Sequence, residues 1–134
     1  MAEARIHARN SAKKFGGCED DYIHIHDFMD SSKGAYAHAE HRMILHNSFA
    51  SQHIIPRIFG RTIINSDGRE VSTKDIAEQH ILEDYGHKFI PTLQDWCENL
   101  KFQPWMNNGR GGYPNSAKPV FDRDETTVLN SLKD

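Results

Sequence analysis

Residues 72–86 read Ser-Thr-Lys-Asp-Ile-Ala-Glu-Gln-His-Ile-Leu-Glu-Asp-Tyr-Gly and carry the clearest helix signals of the chain. Residues 72–75 fit a capping box, in which side chains at the first and fourth positions bond the free N–H groups of a helix start. The helix should run from about Thr73 to Tyr85 and end at Gly86, because glycine readily adopts the backbone conformation that ends helices. A long, capped helix here predicts a mainly helical fold.

Other stretches carry the same helical periodicity, with apolar residues recurring every three or four positions. They predict helices over residues 20–31, about 31–46, 48–59 and 91–100. Pro56 should kink or shorten the third of these, because proline cannot donate a backbone hydrogen bond. Residues 62–72 instead predict a short β-hairpin with Asp67-Gly68 at its tip. We therefore predict a mainly α, single-domain helical bundle of four to five helices with one short β-hairpin.

The 134-residue chain is long enough for one compact domain with one core. Residues 1–19 are basic and predict an irregular N-terminal arm, most simply a solvated tail. Residues 20–106 carry the helical patterns and form the predicted domain. Residues 107–134 contain several glycines and prolines without any periodicity, which predicts an irregular tail.

Composition bounds the class of protein. The chain has no apolar run long enough to span a bilayer and no signal-peptide pattern, so we expect no membrane partner and no secretion. The mean hydropathy of -0.70 agrees with this expectation. Cys18 and Cys97 lie far apart in sequence, which favours free thiols in a cytoplasmic protein. Nine histidines are many for this length and direct attention to metal or proton chemistry.

Two His-x-x-x-Asp steps are the sharpest chemical feature. His26 and Asp30 are four residues apart on the first predicted helix, and His80 and Asp84 are four apart on the helix that begins at Thr73. Residues four apart share one face of a helix, so each step presents an imidazole and a carboxylate together. Two interpretations stay open: a buried hydrogen-bond network that fixes the histidine tautomers, or a divalent metal site.

The metal interpretation predicts zinc or another first-row divalent ion, held by ligands from facing helices. Its ligands are predicted as His26, His41 and His80, completed by Asp30, Asp84 or His46. If the domain is a hydrolase-like enzyme, Glu78 or Glu83 is the expected general base acting on a metal-bound water.

An alternative function is a non-catalytic interaction or assembly protein. It would use the basic N-terminal arm and the C-terminal tail to bind a protein partner or a second copy of the chain. Residues 109–113, Gly-Arg-Gly-Gly-Tyr, resemble one copy of an RGG-type nucleic-acid element. The net charge of -3 makes nucleic acid a weakly supported partner.

The spacing of several motifs resembles a small uncharacterised family, a domain of unknown function in bacteria and phages. The matching residues are Tyr22-x-x-x-His26-x-x-x-Asp30, His41-Arg42-x-x-x-His46, Asn65-Ser66-Asp67-Gly68-x-x-Val71, Asp75-Ile76-x-Glu78-Gln79-His80-x-x-Glu83-Asp84-x-Gly86, Ile90-Pro91-Thr92, Asp95-Trp96 and Gln103-Pro104-Trp105-Met106. The resemblance implies a helical single domain in a bacterial or phage-infected cell and no established activity. The chain departs from the pattern at Asn47, where members often have a second histidine, and at Ala50, where they have glycine.

Overall fold

The computed structural model describes residues 3–107, and within that range the fold is mainly helical with one small antiparallel sheet. The α-helices are α1 Ala4–Phe15, α2 Ile23–Asp30, α3 Arg42–Leu45, α4 Ile55–Phe59, α5 Thr73–Asp84 and α6 Leu93–Glu98. The strands are β1 Thr62–Ile64 and β2 Glu70–Ser72. The predicted fold class is confirmed. The tail predicted over residues 107–134 lies outside the described residues, apart from Asn107.

Helix α5 lies at the centre of the fold and contacts α1, α2 and α4. Its N-cap is the predicted Ser72, whose side chain accepts a hydrogen bond from the Asp75 backbone N–H at 3.3 Å. One face of α5 packs inward, with Ile76, His80 and Ile81 fully buried. The surrounding core consists of Ala8, Phe15, Tyr22, Ile25, Met29, Ile55, Val71, Ile76, Ala77 and Ile81.

The prediction of an irregular N-terminal arm is wrong for residues 4–15, which form helix α1. Its basic residues do lie on the exposed side, where Arg5 and Arg9 both pair with Glu19. The opposite face carries His7 and Ser11 at helical spacing, and both are fully buried. Because these inward-facing residues are polar, the sequence does not display the apolar stripe that usually marks a packed helix.

The long helix predicted over about residues 31–46 is also wrong. Two 3₁₀ turns, Ser31–Gly34 and Ala39–His41, precede the short helix α3, and residues 35–38 are not helical. Serine side chains bond groups in this segment: Ser31 Oγ donates to the Phe28 carbonyl at 2.6 Å, and Ser32 Oγ lies 2.8 Å from His41 Nδ1. Such local side-chain bonds compete with a continuous helix. Ile44 of α3 is 54% exposed, although a continuous helix would carry it on the same face as the buried His41 and Leu45.

Pro56 follows an interruption in regular α-helical hydrogen bonding, and the chain is helical on both sides of it. Residues Ala50–Ile54 form a π-helical turn, and Pro56 then lies in the first turn of α4. Because the π-helical turn runs directly into α4, the missing N–H of Pro56 removes one backbone bond at the point where the two turns join.

Among the described helices, none is both long and apolar enough to cross a membrane.

The predicted hairpin is confirmed, with Ile63 opposite Val71 in an antiparallel register. Asn65 holds the turn: its side-chain oxygen accepts from the backbone N–H groups of Asp67 and Arg69 at 3.0 and 2.9 Å. Its amide nitrogen donates to the Phe15 carbonyl, at the end of α1, and to the Tyr22 hydroxyl, both at 3.1 Å. A single buried side chain thus ties the hairpin to α1 and to the residue that precedes α2.

We predict that Asn65→Ala lowers the free energy of unfolding by roughly 2–4 kcal/mol, because it leaves several buried polar groups without partners. Urea denaturation measures the loss. Asn99→Ala is the matched control, since that exposed amide donates one bond to the Asp95 carbonyl, and it should cost less than about 1 kcal/mol. Equal losses for the two variants would contradict this role of Asn65.

Candidate metal centre

Three helical segments bring two imidazoles and two carboxylates to one point inside the domain. Asp30 ends α2, His46 follows α3, and α5 supplies His80 and Asp84 one turn apart. Each of these residues, which we call the quartet, offers one ligand atom, and these atoms all lie within 4.8 Å of one another. The side chains of His46 and His80 are 0% exposed, that of Asp84 is 1% exposed and that of Asp30 is 10% exposed.

The separations within the quartet fit a metal ion. His80 Nε2 lies 3.1 Å from Asp30 Oδ1 and 3.3 Å from Asp84 Oδ2. His46 Nε2 lies 2.9 Å from Asp84 Oδ2 and 3.6 Å from Asp30 Oδ1. Tetrahedral ligands about 2.0–2.1 Å from a zinc ion are roughly 3.3 Å apart. The four separations between an imidazole and a carboxylate lie on both sides of that value, and the two remaining pairs of ligand atoms lie within 4.8 Å.

The sequence prediction included all members of the quartet, together with His26 and His41. The structure does not bring these last two into it. His26 lies behind His80, with their Nδ1 atoms 2.8 Å apart. His41 bonds Ser32 through Nδ1, and its ring stands edge-on to the His46 ring at a centroid distance of 5.7 Å. The His26 and His41 rings therefore each contact a histidine of the quartet but contribute no ligand atom to it.

Neither glutamate predicted as a general base contacts the quartet through the hydrogen bonds and ion pairs found over residues 3–107. Glu78 pairs with the exposed Lys74 at 2.6 Å on another side of α5. Glu83 is largely buried, with its side chain 13% exposed. It accepts hydrogen bonds from Gln79 at 2.8 Å and Asn10 at 3.3 Å and lies 2.7 Å from His7 Nδ1.

His7 is the main site residue that the sequence prediction missed. Its ring stacks on His80 at a centroid distance of 3.9 Å, and its two nitrogens face Glu83 at 2.7 Å and Asp84 at 3.3 Å. Burial alone would lower the pKa of His7, but the two carboxylates outweigh burial and raise it to about 9. The spacing of His7, Ser11 and Phe15, four residues apart on one helical face, was the available signal.

The quartet carboxylates are held in their charged form. Burial opposes ionisation of Asp84, but the hydrogen bond from His46 and the nearby His7 and His80 imidazoles hold its pKa well below the usual range. Burial opposes ionisation of Asp30 in the same way, and the contact with His80 lowers its pKa. Burial also lowers the pKa of His46, which favours the neutral imidazole, the form that binds metals.

A backbone carbonyl and a carboxylate, which can only accept hydrogen bonds, determine which atoms donate in the network around the quartet. The Gln79 amide nitrogen lies 3.1 Å from the His7 carbonyl and 2.8 Å from Glu83 Oε2, so it donates to both. Gln79 Oε1 therefore accepts the Ser11 hydroxyl proton at 2.6 Å. The Ser11 oxygen in turn accepts from His26 Nε2 at 2.7 Å. This assignment leaves Nδ1 of a neutral His26 without a proton.

The same chain of bonds fixes the tautomer of His80. Burial, followed by the neighbouring His80 and His7 rings, lowers the pKa of His26 to about 2, so His26 is neutral and its Nδ1 accepts. His80 must then carry a proton on Nδ1 and donate it across the 2.8 Å contact. Its Nε2 faces Asp30 and Asp84, two groups that can only accept. Because ionised carboxylates only accept hydrogen bonds, a cation placed between His80 Nε2 and the two carboxylates would satisfy all three groups.

The comparisons with known proteins give one family. A family model described as a domain of unknown function (DUF6915) matches residues 2–106, a range that includes every residue of the quartet. The comparisons with curated proteins and with solved structures find no match. The expectation of an uncharacterised family is met, whereas the bacterial or phage origin stays a prediction.

We predict that Ser11→Ala lowers the free energy of unfolding by roughly 2–3 kcal/mol, because it leaves His26 and Gln79 with unpaired buried polar atoms. Chemical denaturation of the purified variant measures the change. In the matched control Ser31→Ala, an exposed hydroxyl loses one bond to a backbone carbonyl, and we expect less than about 1 kcal/mol. A Ser11 variant as stable as the control would show that the assigned chain of bonds is wrong.

Proposed function

The chain belongs to the DUF6915 family, a domain of unknown function, and we propose that it binds one zinc ion or another first-row divalent metal ion through the quartet. The observation that carries this proposal is the convergence of two imidazole nitrogens and two carboxylate oxygens within 4.8 Å. This donor set suits zinc, manganese, iron and nickel rather than calcium or magnesium, which prefer oxygen ligands alone.

The residues that contact the quartet also support a metal site. Histidines that bind metals usually donate their second N–H to a neighbouring group, which orients the ring. His80 has such a neighbour in His26 at 2.8 Å. The Asp84 carboxylate also has a neighbouring histidine: His7 Nε2 lies 3.3 Å from Asp84 Oδ1. A divalent ion would also neutralise the two buried carboxylates, which the side-chain cations Lys33 and Arg42 approach only to 3.8 and 3.9 Å.

The competing interpretation is a hydrogen-bond network with no metal, in which protons supply the positive charge. It uses the same contacts, so it differs from the proposal in composition and not in geometry. Metal content therefore separates the two interpretations. A hydrolytic reaction at Glu78 or Glu83, a homo-oligomer and a protein or nucleic-acid partner all stay predictions.

We predict about one first-row metal ion per chain in protein purified without a histidine tag, measured by elemental analysis. His80→Ala and His46→Ala should each lose most of the metal, because each removes a ligand. His53→Ala is the control, since that histidine is exposed and lies outside the quartet. Metal-free wild-type protein whose melting temperature is unchanged by added zinc would favour the network and overturn the proposal.

A second prediction concerns the histidine behind the ligand. His26→Leu keeps the quartet intact but removes the acceptor of the His80 Nδ1 proton, and we expect metal affinity to fall by roughly 10–100-fold. Competition with a chromophoric chelator measures the affinity. His24→Leu on the same helix is the control, because the His24 side chain is exposed, and its affinity should equal that of the wild type. An unchanged affinity in the His26 variant would remove His26 from the site.

A further inference from the structure

A cleft of about 1050 Å³ opens beside the quartet, in the segment between the end of α2 and α3. Asp30 is the one quartet residue among the residues that line it. Asp30 also has the most exposed side chain of the quartet, at 10% against 0–1% for the others. A molecule entering the cleft would therefore approach the proposed metal from the side of Asp30.

Two buried polar atoms at the cleft lack partners. His41 lines the cleft and is only 2% exposed, and its Nε2 is buried without a hydrogen-bond partner among residues 3–107. Asp30 Oδ2 is likewise buried and accepts no hydrogen bond from that part of the chain; the nearest cation is Lys33 Nζ at 3.8 Å. Because buried polar atoms in folded proteins nearly always have partners, a group that enters the cleft is expected to bond His41 Nε2. Asp30 Oδ2 can only accept, so it favours an anion nearby only when the metal ion or Lys33 neutralises it.

The walls of the cleft are apolar. Phe28, Met43 and Leu45 line it together with Tyr36 and Ile44, which are 52% and 54% exposed. Covering such large side chains removes apolar surface from water and favours binding of an apolar body. Pockets for small molecules commonly combine apolar walls with a few polar groups that fix orientation.

We propose that this cleft binds a small organic oxyanion, a carboxylate or a phosphate ester on an apolar body. Its oxygens would reach the metal and His41, and its apolar part would pack against Tyr36 and Ile44. The proposal rests on the proposed metal site, since the ion supplies most of the attraction for an anion. Lys33 adds a positive charge at the cleft, whereas Glu40, the other acidic lining residue besides Asp30, is exposed to water.

The test uses the full chain loaded with Co²⁺, whose absorption spectrum changes when an oxygen ligand joins the metal. Phenylacetate and phenyl phosphate are the probes, and acetate and inorganic phosphate are controls without an apolar body. We expect the probes to saturate the spectral change at concentrations roughly tenfold lower than their controls do, which corresponds to about 1.4 kcal/mol. A response to only one probe would identify the anion as carboxylate or phosphate.

Variants tie the response to the cleft. Lys33→Ala should weaken both probes and both small anions by roughly tenfold, and Ile44→Ser should weaken only the aromatic probes. Lys74→Ala is the control, because Lys74 pairs with Glu78 away from the cleft, and it should leave binding unchanged. The metal content of every sample is measured after the titration, so that loss of the ion is not mistaken for loss of the ligand.

The outcomes separate the two proposals. Protein that retains Co²⁺ but shows no response to millimolar probes overturns the cleft proposal and leaves the metal site intact. Protein that never retains Co²⁺ overturns both. Probe binding that is equally strong in metal-free protein, or unchanged in the Lys33 and Ile44 variants, shows binding elsewhere and also overturns the cleft proposal.

Discussion

Asp30 and Asp84 are buried carboxylates that must be neutralised. The arrangement of the polar side chains inside the domain follows from that requirement. Removing a carboxylate from water is costly unless positive charge and hydrogen bonds compensate. Here the closest compensation comes from His46 and His80 at 2.9–3.3 Å and from His7 at 3.3 Å. Lys33 and Arg42 add positive charge at 3.8 and 3.9 Å. A divalent ion between the carboxylates would provide the same compensation with a single bound species.

That constraint explains why so much polar chemistry lies inside a small helical domain. Helix α1 packs with His7 and Ser11 inward, and these residues complete the hydrogen-bond chain that begins at His80 and passes through His26. The chain has one direction, because Gln79 can only donate to Glu83 and to a backbone carbonyl. A network with one allowed direction fixes the tautomer of His80. The proton lies on Nδ1, and Nε2 is the nitrogen that faces both carboxylates.

The part of the site that local sequence determines was predictable. His80 and Asp84 share one face of α5 because the Ser72 cap and Gly86 define that helix, and both lie in the quartet. His26 and Asp30 show the limit of this reasoning: they are also four apart, yet they face opposite ring nitrogens of His80. Which nitrogen each meets depends on how α2 crosses α5, and spacing within one helix contains no information on that crossing. The helical character of residues 4–15 was hidden because polar residues occupy the buried face.

Anomalous diffraction from crystals of protein prepared without chelator can show whether a metal ion lies among Asp30, His46, His80 and Asp84. Data collected on either side of the absorption edge of the metal locate the ion and identify the element. We predict one anomalous peak about 2.0–2.2 Å from the Nε2 atoms of both histidines and from an oxygen of each aspartate. An ordered quartet without a peak, with His80 Nε2 hydrogen-bonded directly to Asp30, would contradict the account.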